Sequence, residues 1–352
     1  MKLLSRPIHP ALGYALLLSI GLSGQCFAQT APARTIPART ITTPTTVSPE
    51  LQKVIAPACG VSSSPPPHTN EEWEASIHAS DGAGDKSFDQ AQKRFHVTVE
   101  EGKLGGVTIY DVKPDVIPEG NRHRVLMHVH GGAYVYGGGK NAASEGMILA
   151  HYGEIEVIAV DYRMPPEFPF PAALDDSVAV WKELIKTHTP RNIGIFGTSA
   201  GGGLTLAIVI RLKELGLPLP GAIMAGTPWA DLSKTGDTYV TNEFIDNALC
   251  TSNGMLEAAA KLYAGAHDLK EPLLSPVYGD LSGFPPTVLL SGTRDQFLSN
   301  TVRVHQKLLQ SGVEAELLVF EGESHAQYAV DVPESAIAYK EVAEFFDRHL
   351  DR

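Results

Sequence analysis

From Phe95 to the C-terminus, short and densely apolar runs alternate with helical stretches. The short runs are Arg124–His130, Glu156–Tyr162, Asn192–Gly197, Gly221–Gly226, Thr287–Ser291 and Ala315–Phe320. Their density and β-branched content predict strands buried on both faces. His96–Glu100 and Val107–Val112 instead alternate apolar with polar, as a hairpin pair does. Helices are expected over Ala172–Lys186, Ser199–Leu215, Asn300–Ser311 and Ser335–Leu350. Strands alternating with helices imply a mostly parallel sheet covered on both faces. Between Asp231 and Leu274 the rhythm breaks: a helix near Met255–Tyr263 has no strand of its own. That segment reads as an insertion over the C-terminal edge of the sheet.

The chain before Phe95 follows other rules. Lys2 and Arg6 precede an apolar run from Ala11 to Leu22, and small and polar residues lead to Ala28. A basic start, a short apolar run and a small residue before the cut predict a secretory signal peptide over residues 1–28, removed after Ala28. The expected destination is the periplasm or the medium, with no stable membrane insertion after cleavage, because the run is too short for a comfortable span. Residues 29–50 are rich in Pro, Thr and Ala and have too little apolar surface to fold alone, so a tether is expected there. Trp73 and Ile77 sit at helical spacing within a polar stretch, which suggests a helical piece leaning on the larger body. The folded domain is thus expected over residues 51–352, with cap pieces near 51–92 and 231–274.

Composition narrows the partners. The net charge of −12 over 352 residues offers no basic stripe, which disfavours nucleic acid and anionic membrane surfaces. Three cysteines, at positions 26, 59 and 250, lack metal-ligand spacing. After export Cys59 and Cys250 would remain together in an oxidising compartment, where they could pair.

The chemistry centres on Gly197-Thr198-Ser199-Ala200-Gly201, a G-x-S-x-G pattern that follows a strand and opens an apolar helix. That context predicts a nucleophile elbow, with Ser199 exposed on a sharp turn. A serine hydroxyl needs a base, and the base needs an orienting acid, in the chain order Ser, Asp, His. Asp295 ends the run TVLLSGTRD, and His325 follows ELLVF through a short turn. Glu323 is the rival acid, but it lies too near His325 in sequence to face it easily. His130-Gly131-Gly132 follows a buried strand, so the N–H groups of Gly131 and Gly132, with that of Ala200, are candidate oxyanion donors. His128 and His130 alternate as a metal pair would, but no carboxylate–His cluster accompanies them. His130 is expected to tie down the glycine loop instead, and no metal or cofactor is expected.

HGGAY, DYRMPPEFPFPAALDD, GTSAGG, TPWADLS, LSPVYGDLSGFPPTVLLSGTRD and EGESHAQY, in this order, resemble the bacterial hormone-sensitive-lipase-like carboxylesterases. The resemblance runs from about Phe95 to the C-terminus. It implies an α/β-hydrolase fold: a mostly parallel central sheet flanked by helices, with a small helical cap. It also implies serine acylation without a cofactor, with Ser199 as nucleophile, His325 as base, Asp295 as acid, and Gly131, Gly132 and Ala200 as the oxyanion hole. Thr198 stands where many members carry Asp, and MPPE replaces the usual APE at Pro165. Asp175 and Asp176 read as loop buttresses. Relatives often pair through the C-terminal edge, which makes a homodimer compatible with the sequence.

The expected activity is hydrolysis of short- to medium-chain esters, lactones included. An amidase or peptidase on the same scaffold uses the same triad. A silent ligand-binding protein typically lacks a triad residue, and here all three are present. Tyr134, Trp229, Phe244 and Ile245 are candidate substrate contacts, with Leu249 and Tyr263 beside them. The insertion carries Asp231, Asp237, Glu243, Asp246 and Glu257 without a broad apolar stripe, which points to a small soluble ester rather than an oil surface.

Overall fold

The computed structural model describes residues 33, 35–60 and 65–351, with backbone alone over 81–87. The expected signal peptide lies outside the described residues. No helix among them is long and apolar enough to cross a membrane. The chain divides into Met1–Thr40 and Ile41–Arg352. In the first unit the described residues form no helix or strand. The second unit begins before the expected boundary at residue 51, because the chain is anchored from Thr42 onward. Thr42 O accepts from Arg294 Nη2 at 2.6 Å. Ser48 donates its N–H and its hydroxyl to the Glu334 carboxylate at 2.7 and 2.8 Å.

Among the described residues the strands are β1 (Val97–Leu104), β2 (Val107–Pro114), β3 (Val125–Val129), β4 (Glu156–Asp161), β5 (Ile193–Thr198), β6 (Ala222–Gly226), β7 (Thr287–Gly292) and β8 (Ala315–Phe320). The helices of the same region are α1 (Pro49–Ile55), α2 (Asn70–Phe95), α3 (Ser144–Gly153), α4 (Ala172–Thr187), α5 (Ala200–Glu214), α6 (Thr238–Thr241), α7 (Met255–Ala264), α8 (Leu298–Gln310) and α9 (Pro333–His349). One sheet runs in the order β1-β2-β4-β3-β5-β6-β7-β8. Only β1 and β2 pair antiparallel with their neighbours; the ladders from β4 through β3 to β8 are parallel.

Every residue of β3, β5, β6 and β7 is buried, as their unbroken apolar runs require. On one face β3 and β5 pack under α4 and α5 through Trp181, Ile208 and Leu204. On the other they pack under α3 and α9 through Met147, Phe345 and Phe346. Each such side chain contributes about 1.5–3 kcal/mol by leaving water. Helix α3 has no counterpart in the sequence reading. It is short, and glycines at 146 and 153 blur its pattern.

The cap begins with α2, opened by a capping box in which Thr69 and Glu72 satisfy each other's backbone N–H groups. Trp73 of α2 is buried against Val135 and against Ala259 of α7. This cluster joins the two expected cap pieces beside the loop that follows β3. The Cys59 and Cys250 side chains form a disulfide with Cα atoms 5.3 Å apart, linking the segment after α1 to the insertion. The Pro165–Pro166 bond is cis, as is Phe170–Pro171.

Candidate active site

Parallel strands deliver their following loops to one edge of the sheet. Ser199 comes from β5, Thr227 from β6, Asp295 from β7, His325 from β8 and Gly131 from β3. Ser199 sits between β5 and α5 with φ 63° and ψ −122°. That backbone costs a non-glycine residue about 1–3 kcal/mol. Three bonds hold it: Ser199 N donates to Gly226 O at 2.8 Å, and Ser199 O accepts from Trp229 N at 2.8 Å and Gly203 N at 3.0 Å. The G-x-S-x-G spacing has a steric reason as well. A Cβ on Gly201 would stand 2.1 Å from Val129 O, so only glycine lets α5 start this close to β3.

His325 bridges Ser199 and Asp295. Its Nε2 lies 2.9 Å from Ser199 Oγ and its Nδ1 lies 3.1 Å from Asp295 Oδ1. With Nδ1 donating to the carboxylate, Nε2 is free to accept the serine proton. Asp295 is fully buried, and its oxygens also accept from Phe297 N at 2.8 Å, Ser291 Oγ at 2.8 Å and the Thr227 hydroxyl. Burial pushes the His325 imidazole down, but the charge and hydrogen bond of Asp295, with Asp246 behind them, reverse this and leave it above its ordinary value of 6.5.

The loop after β3 turns back on itself beside the serine. A Cβ built on Gly131 would lie 3.4 Å from Ser199 Cβ, which places this backbone against the nucleophile. Gly132 has φ +108°, and a Cβ there would strike Tyr136 O at 2.1 Å. Ala200 opens α5, so its N–H precedes the first intrahelical bond. His130 donates from Nδ1 to Gly131 O at 2.7 Å, stacks on Tyr162 with centroids 4.0 Å apart, and is held neutral by burial, its pKa falling to about 3. His128 does not join it as a metal pair. Its Nδ1 lies 3.0 Å from Ala142 O and its Nε2 lies 3.2 Å from Glu145 Oε2.

A family profile described as the alpha/beta hydrolase fold matches residues 126–329. The chain belongs to this family. It is similar to an acetyl-hydrolase of Streptomyces hygroscopicus, 33% identical over 64% of this chain and 75% of that protein. It is also similar to the solved structure of an esterase, E25, at 43% identity and a TM-score of 0.87, covering 90% of this chain and 99% of that one. A hormone-sensitive lipase from a metagenome library aligns at 28% identity and a TM-score of 0.68, over 79% and 98% of the two chains. The α/β-hydrolase described here is therefore a carboxylic-ester hydrolase of the hormone-sensitive-lipase-like group.

Within this α/β-hydrolase site, Tyr134 and Trp229 are packing residues, each 2% exposed. Tyr134 stacks on Tyr263 at 3.9 Å, and Trp229 stacks on Phe297 at 5.6 Å, whose ring edge meets His325 at 4.8 Å. Phe244 turns to solvent at 59% exposure instead of lining a pocket: φ is 61° there, and its N–H closes onto Cys250 O at 2.8 Å. Ile245 is half-buried in the same turn, and so is Leu249. Asp176 clamps the backbone and guanidinium of Arg163, whereas Asp175 is exposed and is not a buttress.

Two of the acids carried by the insertion lie inside. Asp231 is fully buried against Arg303 at 2.6 Å, and Asp246 is fully buried beside the triad loops. Glu145, Thr227 and Ser291 also escaped sequence reasoning. Thr198 donates to Glu145 Oε1 at 2.6 Å, so a carboxylate from α3 stands at the elbow. A carboxylate in a short helix with no motif around it leaves no sequence signal of that role.

Proposed function

We propose that this α/β-hydrolase is an exported serine carboxylesterase that cleaves short- to medium-chain esters through an acyl-enzyme. The observation that carries the reading is the line Ser199 Oγ, His325 Nε2, His325 Nδ1, Asp295 Oδ1, with links of 2.9 and 3.1 Å. Ser199 Oγ attacks the ester carbonyl while His325 Nε2 takes its proton. The developing oxyanion accepts from the N–H groups of Gly131, Gly132 and Ala200. Asp295 stabilises the imidazolium and fixes its tautomer. His325 then returns the proton to the leaving alcohol, and a water deprotonated by the same nitrogen releases the acid.

The aromatic wall of Trp229, Phe297 and Tyr134 supports the short acyl limit. Phe297 meets His325, Trp229 stacks on Phe297 and Tyr134 on Trp229, all buried, so an acyl chain running along this side of the base would have to displace them. The N-terminal pattern supports export, and so does the Cys59–Cys250 disulfide, since such bonds persist in oxidising compartments. The test uses nitrophenyl esters from acetate to palmitate. kcat/KM should rise over the first few carbons, by up to about 0.8 kcal/mol per methylene, and then fall. An optimum at about twelve carbons or beyond would overturn the short-chain reading. N-terminal sequencing of exported protein should begin at Gln29.

A further inference from the structure

The turn from Asn242 to Cys250 lies in the insertion, far in sequence from Asp295 and His325, yet it holds both of their loops. Asn242 Nδ2 donates to Asp295 O at 2.8 Å and to Thr293 O at 3.2 Å. Asn247 N donates to Ser324 Oγ at 3.1 Å, and Asn247 Oδ1 accepts from Gln327 Nε2 at 2.8 Å, on either side of His325. Asp246 stands between these two grips and is fully buried. Its Oδ2 accepts from the N–H of Gln296, the residue after Asp295, at 2.9 Å. Its Oδ1 accepts from Ala248 N at 2.9 Å and Leu249 N at 3.0 Å, and it faces the backbone N–H of His325 at 3.5 Å.

Every one of these partners is an N–H donor. These N–H donors favour the ionised carboxylate, working against burial and the charge of Asp295, which raise the carboxyl above its ordinary 3.8. That places a second anion behind the histidine. The groups facing the imidazole are Ser199 from the elbow, Thr227 from the loop after β6, and Asp295 and Phe297 from the loop after β7, with Asp246 of the turn behind it at the backbone N–H of His325. Only Asp295 and Asp246 among them carry charge.

Resting on the triad reading above, we propose that Asp246 is a positioning residue for ester hydrolysis. Its ionised carboxylate locks the loops of the catalytic acid and base in register and adds a second negative charge that stabilises the imidazolium formed when Ser199 attacks. The proton path is unchanged: Asp246 neither gives nor takes a proton.

The test is Asp246→Asn in the full chain, which keeps the shape but removes the charge and one acceptor. We expect kcat to fall about 10- to 100-fold with KM changed less than about threefold, as for loss of a group acting in the transition state. The acid limb of kcat/KM should move to lower pH, because the imidazole has lost an anionic neighbour. A fold-only role would lower the melting temperature and leave that limb in place. A folded variant with kcat within about twofold of wild type, or with an unmoved acid limb, overturns the proposal. Should the variant not fold, the carbon-13 shift of the Asp246 carboxyl in the wild-type protein decides. It must read as ionised at neutral pH, and a protonated carboxyl there overturns the assignment. Labelling by a fluorophosphonate, run alongside on wild type and Ser199→Ala, separates the two readings. Absence of Ser199 labelling in the wild type sinks the triad reading and this one with it. Normal labelling with an Asp246→Asn enzyme that behaves like wild type sinks this one alone.

Discussion

Glu323 offers a quantitative test of how the loop before His325 is built. Its side chain is fully buried, and neither carboxylate oxygen has a hydrogen-bond partner among the described residues. Only its backbone is used: Glu323 O accepts from Arg294 N at 2.9 Å. Burial, with the charge of Glu334 adding to it, pushes the carboxyl from 4.5 up to about 8. The folded chain therefore binds this proton across a window in which the unfolded chain has released it. Stability is full below about pH 4.5 and is lost as pH rises to about 8. A gap of about 3.5 at about 1.36 kcal/mol each sets a ceiling of about 5 kcal/mol. Water entering on ionisation relieves part of that, so about 2–5 kcal/mol is expected. The perturbation is Glu323→Gln, neutral at every pH. Denaturant unfolding of both proteins at about pH 5 and about pH 9 gives a double difference. The packing cost of the amide and all other titrations cancel in it. The glutamine variant should gain about 2–5 kcal/mol relative to wild type between the two conditions. A double difference under about 1 kcal/mol, or one of opposite sign, would refute the reasoning.

Replacing Ser199 with Ala in a folded protein should remove about four to six orders of magnitude of ester turnover, because triad members act as one unit; retention of about a tenth would exclude Ser199 as nucleophile. Asp295→Asn should cripple kcat at least about a thousandfold while Glu323→Gln leaves it within about threefold, since Asp295 and not Glu323 bonds the imidazole; the reverse order would mean the acid is misassigned. In the wild type, the acid limb of kcat/KM should lie above the ordinary imidazole value of 6.5, because a His325 whose proton is held more tightly becomes a free base only at higher pH; a limb well below 6.5 would contradict the arrangement around Nδ1. Replacing Cys59 and Cys250 with Ser should cost about 2–5 kcal/mol of stability, read by unfolding with and without reductant, because the bond closes a sequence separation of 191.

The parts legible in the sequence are those whose physics is local. β3, β5 and β7 are buried on both faces, so each shows as an unbroken apolar run. The elbow needs glycine at 201 because Val129 O leaves no room for a Cβ, and that demand is written into G-x-S-x-G. Asp295 and His325 end strands or lie one short turn beyond them, and parallel strands bring such loops to one edge. The order of the strands was not legible. Nothing in β2 says that it pairs with β4 rather than β3. Helix α3 was missed because its period is short and broken by glycine.

What failed was the direction in which a polar side chain points. Asp231, Asp237, Glu243, Asp246 and Glu257 look alike in the insertion, and counted together they suggest a solvated acidic face. Asp237 is exposed and Glu243 half-buried, while Glu257 reaches Lys234 and Lys261 at 2.9 and 2.7 Å, as a surface acid does. Asp246 turns inward because the turn around it presents N–H groups that no water reaches, and a carboxylate is the side chain that satisfies several at once. Phe244, two positions earlier, is driven out by the same turn: with φ at 61° its ring leaves the core that an aromatic residue would ordinarily seek. The apolar residue therefore faces water and the charged one is buried, the opposite of what composition implies. Such an inversion costs stability unless the buried charge does something a hydrophobic residue could not. Here it reaches the loops of the acid and the base at once, which no apolar side chain does by hydrogen bonding.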